Sequence, residues 1–264
     1  MRVNLAFREY GAGAPILLLH GLLGSAANWG TIARRLAANH RVLAVDLRNH
    51  GRSPHSDDMH YRDMAADVVG LMQRVGLKSA VLLGHSAGGK VAMTLALAHP
   101  ALVERLVVVD IAPVTYARTH LDLLAALQGL DLSRVRRRAD ADSALREHIP
   151  DERVRLFVLQ NLAPGPEGYA WRVNLEAICR HADAISGFPE PAPGAIYAGP
   201  TLFIAGDCSS YLRPEHGAAI HHHFPRAQTV RVPQAGHWVH SDRPDEFVHI
   251  VQGFLASHTA DLGD

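Results

Sequence analysis

Five short, almost unbroken apolar runs punctuate this chain of 264 residues: Pro15–Leu19, Arg41–Leu47, Ser79–Leu83, Arg105–Val109 and Pro200–Ala205. A strand covered by helices on both faces cannot alternate apolar with polar residues, so runs of this kind read as central strands of a parallel sheet. Helical periodicity fills the gaps, over roughly Trp29–Ala38, Arg62–Val75, Gly88–Ala98, Pro214–His223 and Asp245–Ser257. Strand and helix in alternation define an α/β architecture with crossover helices. Gln228–Val232 reads as a late strand nearer the sheet edge, and residues 3–9 as an N-terminal antiparallel strand. Hydrophobic residues make up 48% of the chain, enough for a sizeable core.

One stretch departs from the rhythm. Between Asp110 and Thr201 lie about ninety residues with helical periodicity and no convincing strand. Leu121, Leu124, Ala125 and Leu127 make one apolar stripe, Val154, Phe157, Val158 and Asn161 a second, and Val173, Leu175, Ile178 and Ala182 a third. A parallel crossover needs only a dozen or so residues. The excess predicts a helical cap at 113–198, inserted into a core formed by 1–112 and 199–264.

Chemistry concentrates at the ends of the strands. Gly84-His85-Ser86-Ala87-Gly88 follows one apolar run directly and opens a helical pattern. In a G-x-S-x-G elbow the serine occupies a strained strand-to-helix turn that glycines alone can flank closely. Its hydroxyl is held above the sheet as a nucleophile. His20-Gly21-Leu22-Leu23-Gly24 follows the first central run. A tetrahedral intermediate needs preorganised N–H donors for its charged oxygen. The backbone N–H groups of Ala87 and Leu22 are the candidates. Gly236-His237-Trp238 lies after the last strand, and His237 is placed to act as the base, with His240 the rival nearby. Serine, acid, histidine is the chain order that a strand–turn–helix elbow of this kind requires.

These features together resemble the α/β-hydrolase family over essentially the whole chain. A closer resemblance lies in Asp46-Leu-Arg-Asn-His-Gly-Arg-Ser53, Gly84-His-Ser-Ala-Gly-Gly-Lys90, Asp110-Ile-Ala-Pro113 and Ala235-Gly-His-Trp-Val-His240. These strings are similar to those of the YbfF-type bacterial acyl esterases and their mitochondrial relatives. The resemblance implies hydrolysis of carboxylic esters, with acyl thioesters as a further substrate class. Ala87 stands where many members carry methionine, which should change the pocket's shape more than the mechanism.

The triad acid has two candidates. The commonest arrangement puts it in the turn after the 201–205 strand, but the expected position holds Ser209, and Asp207 sits two residues early. Asp110 ends the strand that follows the nucleophile helix, the alternative position, and the YbfF-type pattern has its aspartate there. The expectation is Asp110, with Asp207 in reserve.

Other features narrow the class. Lys+Arg and Asp+Glu both number 26, and a balanced chain does not favour nucleic acid or an anionic membrane as partner. Cys179 and Cys208 make no disulfide framework, and no apolar run suits a signal peptide or a bilayer span, so a cytoplasmic protein is expected. His221-His222-His223 point in different directions on a helix and cannot all face one ion. His50, His55 and His60 receive no role, and with no carboxylate–histidine set near the elbow, neither metal nor cofactor is expected. Arg134, Arg136, Arg137 and Arg138 read as a solvated face, or more sharply as a phosphate site for an acyl carrier such as coenzyme A. The reading is therefore a serine hydrolase acting on a small-molecule acyl ester or thioester. A carbon–carbon hydrolase or cofactor-free peroxidase could use the same triad, and a ligand-binding protein could keep the fold without turnover.

Overall fold

The computed structural model describes residues 1–117, 120–166 and 168–257. The expected core and cap segments each include a few residues outside this set. The strands are β1 (Phe7–Tyr10), β2 (Ala14–Leu19), β3 (His40–Val45), β4 (Ala80–His85), β5 (Val103–Val109), β6 (Leu162–Gly165), β7 (Gly168–Trp171), β8 (Thr201–Gly206) and β9 (Ala227–Val232). The helices are α1 (Gly30–Leu36), α2 (Tyr61–Arg74), α3 (Ala87–Ala98), α4 (Leu121–Gln128), α5 (Arg138–Leu145), α6 (Glu152–Val158), α7 (Leu175–Arg180), α8 (Ala182–Ser186), α9 (Gly217–His223), α10 (Val239–Asp242) and α11 (Pro244–Ala256).

Seven strands form one sheet in the order β1-β3-β2-β4-β5-β8-β9, with β1 antiparallel to β3 and the other pairings parallel. The near-continuous apolar runs have the expected cause. Leu17, Leu19, Leu43, Val45, Leu82 and Val108 face one buried cluster, while Ile16, Leu18, Val42, Ala44, Leu83 and Val109 face a second across the sheet. Alternate residues point to opposite faces of a strand, so two covered faces require apolar residues at both parities.

The strand order places the site. From β2 the chain runs to β3 on one side, then crosses to β4 on the other, so its direction reverses between β2 and β4. Open α/β sheets bind ligands outside the carboxyl ends of the strands at such a switch point. The register brings Leu19 opposite Gly84, and His85 opposite Val109. The turns after β2, β4 and β5, which carry Leu22, Ser86 and Asp110, are therefore neighbours on one rim.

Between β5 and β8 the expected helical stripes are present in part: Leu124, Leu127, Val158, Val173, Leu175, Ile178 and Ala182 are buried and Val154 and Phe157 half-buried, whereas Leu121 and Ala125 of the first stripe are exposed. The expectation of a segment without strands needs correction. β6 and β7 form an antiparallel pair from Leu162↔Trp171 to Gly165↔Gly168. Pro164, Gly165 and Pro166 read as a loop in sequence, and four-residue strands are too short to show alternation. Asn161, on the second stripe, is a buried polar residue whose amide donates to the carbonyls of Leu23 and Val158.

Candidate active site

The elbow begins with steric exclusion. A Cβ on Gly84 would lie 2.2 Å from the carbonyl oxygen of Gly88, and one on Gly88 would lie 2.4 Å from that of Leu19. Ser86 has φ 51° and ψ −121°, a left-handed conformation that a serine adopts only under constraint. The constraint comes from both sides: its N–H donates to Val109 O and its carbonyl accepts from Lys90 N–H. Ala87 is the first residue of α3, so its N–H belongs to the four without an intrahelical acceptor. Gly21 packs closely enough that a Cβ there would lie 3.2 Å from Ser86 Cβ, which brings the Leu22 turn alongside the serine.

His237 and Asp110 meet on the same rim. His237 Nδ1 donates to Asp110 Oδ2 at 2.8 Å, leaving the Nε2 lone pair for a proton. Asp110 is fully buried, and its Oδ1 accepts from Gly206 N–H at 3.1 Å. The hydroxyl of Ser209 also donates to Asp110 Oδ2. Ser209, standing where an acid is commonest, thus hydrogen-bonds the carboxylate that ends the neighbouring strand. Asp207 is exposed on the same turn. His240 is buried and stacked on Trp29 at 4.3 Å, with its Nδ1 unpartnered; among the described residues no carboxylate orients it.

Several supporting contacts carried no sequence signal. The Tyr211 ring stacks on His237 at 4.0 Å, and the Tyr211 carbonyl accepts from the Tyr116 hydroxyl at 2.6 Å. His85 donates through Nε2 to the His237 carbonyl at 2.8 Å. Three groups shape the candidate oxyanion turn. His20 donates to Gly21 O and accepts from Leu47 N–H. His50 donates to Arg48 O and accepts from Leu23 N–H, and Asn161 donates to Leu23 O. Lys90, one turn beyond Ser86, donates to the carbonyls of Ser186 and Gly187, joining α3 to the end of α8. Burial lowers its pKa to about 7. Lys90 ends the string Gly84–Lys90, whose spacing carries no sign of this contact.

Burial disfavours the charged form of His20, His50, His85 and His240. His20 and His50 each use one ring nitrogen as donor and the other as acceptor, which the imidazolium cannot do. Burial lowers His20 and His240 to about 4 and His50 to about 3, and places His85 well below the ordinary value. With folded pKa values below the unfolded 6.5, the unfolded chain binds more protons on acidification, so stability falls with pH from about 6.5 toward 4. Each such histidine should cost on the order of 1–2 kcal/mol by pH 5. The urea midpoint should drop clearly between pH 7 and pH 5, and an unchanged midpoint would count against neutral buried rings.

Ser86 and His237 open into a cavity of about 720 Å³. Leu22, Ile111, Leu123, Ile149, Phe157, Ile185 and Trp238 contribute apolar walls. Of the four arginines expected in the cap, none lines it: all are exposed, Arg137 pairs with Asp140, and Arg138 donates to Leu162 O. Arg153 lines the cavity, ion-paired with Asp242 and lying over the Trp238 ring at 5.8 Å. A lone arginine carries no local signal that would set it above the dense run.

A seven-stranded, mostly parallel sheet with a serine elbow at its switch point is the architecture of the α/β hydrolases. The chain belongs to that family: residues 14–244 match the family described as the alpha/beta hydrolase fold. It is 44% identical to the sn-1-specific diacylglycerol lipase ABHD11 of Mus musculus over 249 residues, covering 91% of this chain and 80% of that protein. It is 35% identical to esterase YbfF of Escherichia coli K12 over 243 residues, covering 92% and 93% of the two chains. A solved structure, a marine microorganism esterase, superposes with a TM-score of 0.92 at 36% identity, covering 96% of this chain and 99% of the other.

Proposed function

We propose that this protein hydrolyses carboxylic esters with an apolar acyl chain through an acyl-enzyme on Ser86, with His237 as base and Asp110 as the acid behind it. The observation that carries the reading is the His237–Asp110 hydrogen bond on the rim that also holds the strained Ser86. With Asp110 fixing the proton on Nδ1, Nε2 takes the serine proton as Oγ attacks the ester carbonyl. The N–H groups of Leu22 and Ala87 receive the developing oxyanion. His237 then returns the proton to the departing alkoxide, and water repeats the sequence to release the acid. The segment 113–198 acts as a cap, supplying cavity walls from Leu123, Ile149 and Phe157.

The relatives' names favour esters, including the ester bonds of diacylglycerol. The cavity's size suits a ligand with an acyl chain. Among the described residues no helix is long and apolar enough to cross a membrane. Cys179 and Cys208 are free thiols, in keeping with the reduced cytoplasm we assign to the protein.

A series of p-nitrophenyl esters from acetate to palmitate, run beside the matching acyl-CoA thioesters, tests the reading. Turnover should be fastest with an acyl chain longer than acetate. Replacing Arg136, Arg137 and Arg138 together with alanine should change ester and acyl-CoA kinetics equally little, because these side chains lie away from the cavity. Apolar ligands that bind without any ester being turned over would support a binding protein instead. A rise in KM confined to acyl-CoA would restore the arginine run as a phosphate site.

A further inference from the structure

On the outer side of the junction between the core and the 113–198 segment, three potential ligands converge. Asp58 and His60 belong to the loop that leads into α2, and His181 joins α7 to α8. Asp58 Oδ1 lies 3.8 Å from His60 Nδ1 and 3.7 Å from His181 Nε2, and all three atoms lie within 4.8 Å of one another. None of the three residues lines the cavity beside Ser86. We propose that Asp58 Oδ1, His60 Nδ1 and His181 Nε2 form a site for a divalent zinc-type cation that ties the core to the segment above it.

Three observations support the site. First, His181 Nδ1 donates to the Ala177 carbonyl at 3.0 Å, so the nitrogen facing Asp58 is the one with the lone pair. A ligating histidine is ordinarily oriented in this way, by a hydrogen bond from its other nitrogen to a carbonyl. Second, the backbone holds each ligand. The Asp58 carbonyl accepts from Arg48 and from Asn49, and Arg48 is itself buried against Asp67. His60 accepts from Met64 N–H at the start of α2, and His181 N–H donates to Ala177 O. Third, the neighbouring arginines are already neutralised, since Arg48 pairs with Asp67 and Arg180 pairs with Glu176 at 2.5 Å and with Asp57 at 3.7 Å.

The chemistry of the set selects the metal. Two imidazoles and one carboxylate suit zinc, nickel or copper, whereas calcium and magnesium require oxygen ligands. Tetrahedral zinc at about 2.0–2.1 Å from each ligand spaces them at roughly 3.4 Å, so Asp58 Oδ1 would approach each histidine nitrogen by a few tenths of an ångström. Water would complete the fourth position. The His60 and His181 rings meet edge to face at a centroid distance of 4.9 Å. The role is a staple between two segments, and the hydrolytic rim is left untouched.

The full chain, stripped with EDTA and titrated with zinc chloride by calorimetry, should bind one equivalent. Zinc in large excess over Kd should raise Tm by several degrees. His60→Ala and Asp58→Asn should each weaken binding by at least about tenfold. The His60 side chain makes no capping hydrogen bond to α2, so its removal should leave the fold intact. His222→Ala, in the exposed histidine run, should bind as the parent does. Hydrolysis of p-nitrophenyl butyrate by the metal-free parent and the His60→Ala variant should be equal. With cobalt in place of zinc, visible absorption of a four-coordinate ion should appear in the parent and be lost with His60→Ala. Absence of stoichiometric binding, or equal binding by the parent and the Asp58 and His60 variants, would overturn the site.

Discussion

Replacing Ser86 with alanine is expected to reduce ester turnover by several orders of magnitude while moving Tm little. Removing Oγ deletes the atom that the proposed mechanism acylates. The backbone strain at φ 51° is imposed by the Ser86 N–H bond to Val109 and by the glycines on either side, and alanine inherits it unchanged. The variant should therefore keep the cavity and still bind substrate, with the loss falling on kcat rather than KM. An active-site fluorophosphonate should label Ser86 in the parent and leave the variant unlabelled, which peptide mapping can establish. Labelling of another serine, or turnover near the parent's, would remove the nucleophile assignment and with it the proposed mechanism.

The elements that position this serine were legible for a physical reason. Strands buried on both faces and the crossover helices between them leave long-range composition patterns, so β2, β4, β5 and β8 and the helices α2, α3 and α11 lie within a residue or two of expectation. Family membership, fold and esterase-type relatives agree with the same strings. What stayed hidden was of two kinds. The β6–β7 pair has strands too short to carry a period, and proline and glycine disguised it. The groups that hold the rim, His50 against Leu23, Asn161 against Leu23 and Lys90 against Ser186, join positions 27, 138 and 96 residues apart. Contacts of that range depend on three-dimensional closure and leave no spacing to read. The arginine run misled for the opposite reason: its local charge density is conspicuous, but the helix and hairpin around it turn it to solvent, and the single Arg153 lines the cavity instead.

The acid can be separated from its rival by one pair of variants. Asp110→Asn should lower kcat by on the order of 10⁴, and Asp207→Asn by no more than severalfold. Asp110 is surrounded by donors: Gly206 N–H at Oδ1, and His237 Nδ1–H and the Ser209 hydroxyl at Oδ2. An asparagine has one acceptor oxygen for these two positions. If its oxygen takes the Oδ1 position, the amide N–H faces His237 and forces the proton onto Nε2, the tautomer that cannot accept from serine. If it takes the Oδ2 position, the amide opposes the buried Gly206 N–H, leaving a donor unpaired at a cost of about 1–3 kcal/mol. Either orientation damages the rim, the first through kcat and the second through stability, so kcat and Tm must be read together. The Asp207 side chain lies in solvent on a turn whose own N–H is already bonded to Val232 O, and its amide analogue should leave both quantities nearly unchanged. The opposite ranking in kcat, with both variants folded, would move the acid to the later turn and leave Ser209 without its supporting role.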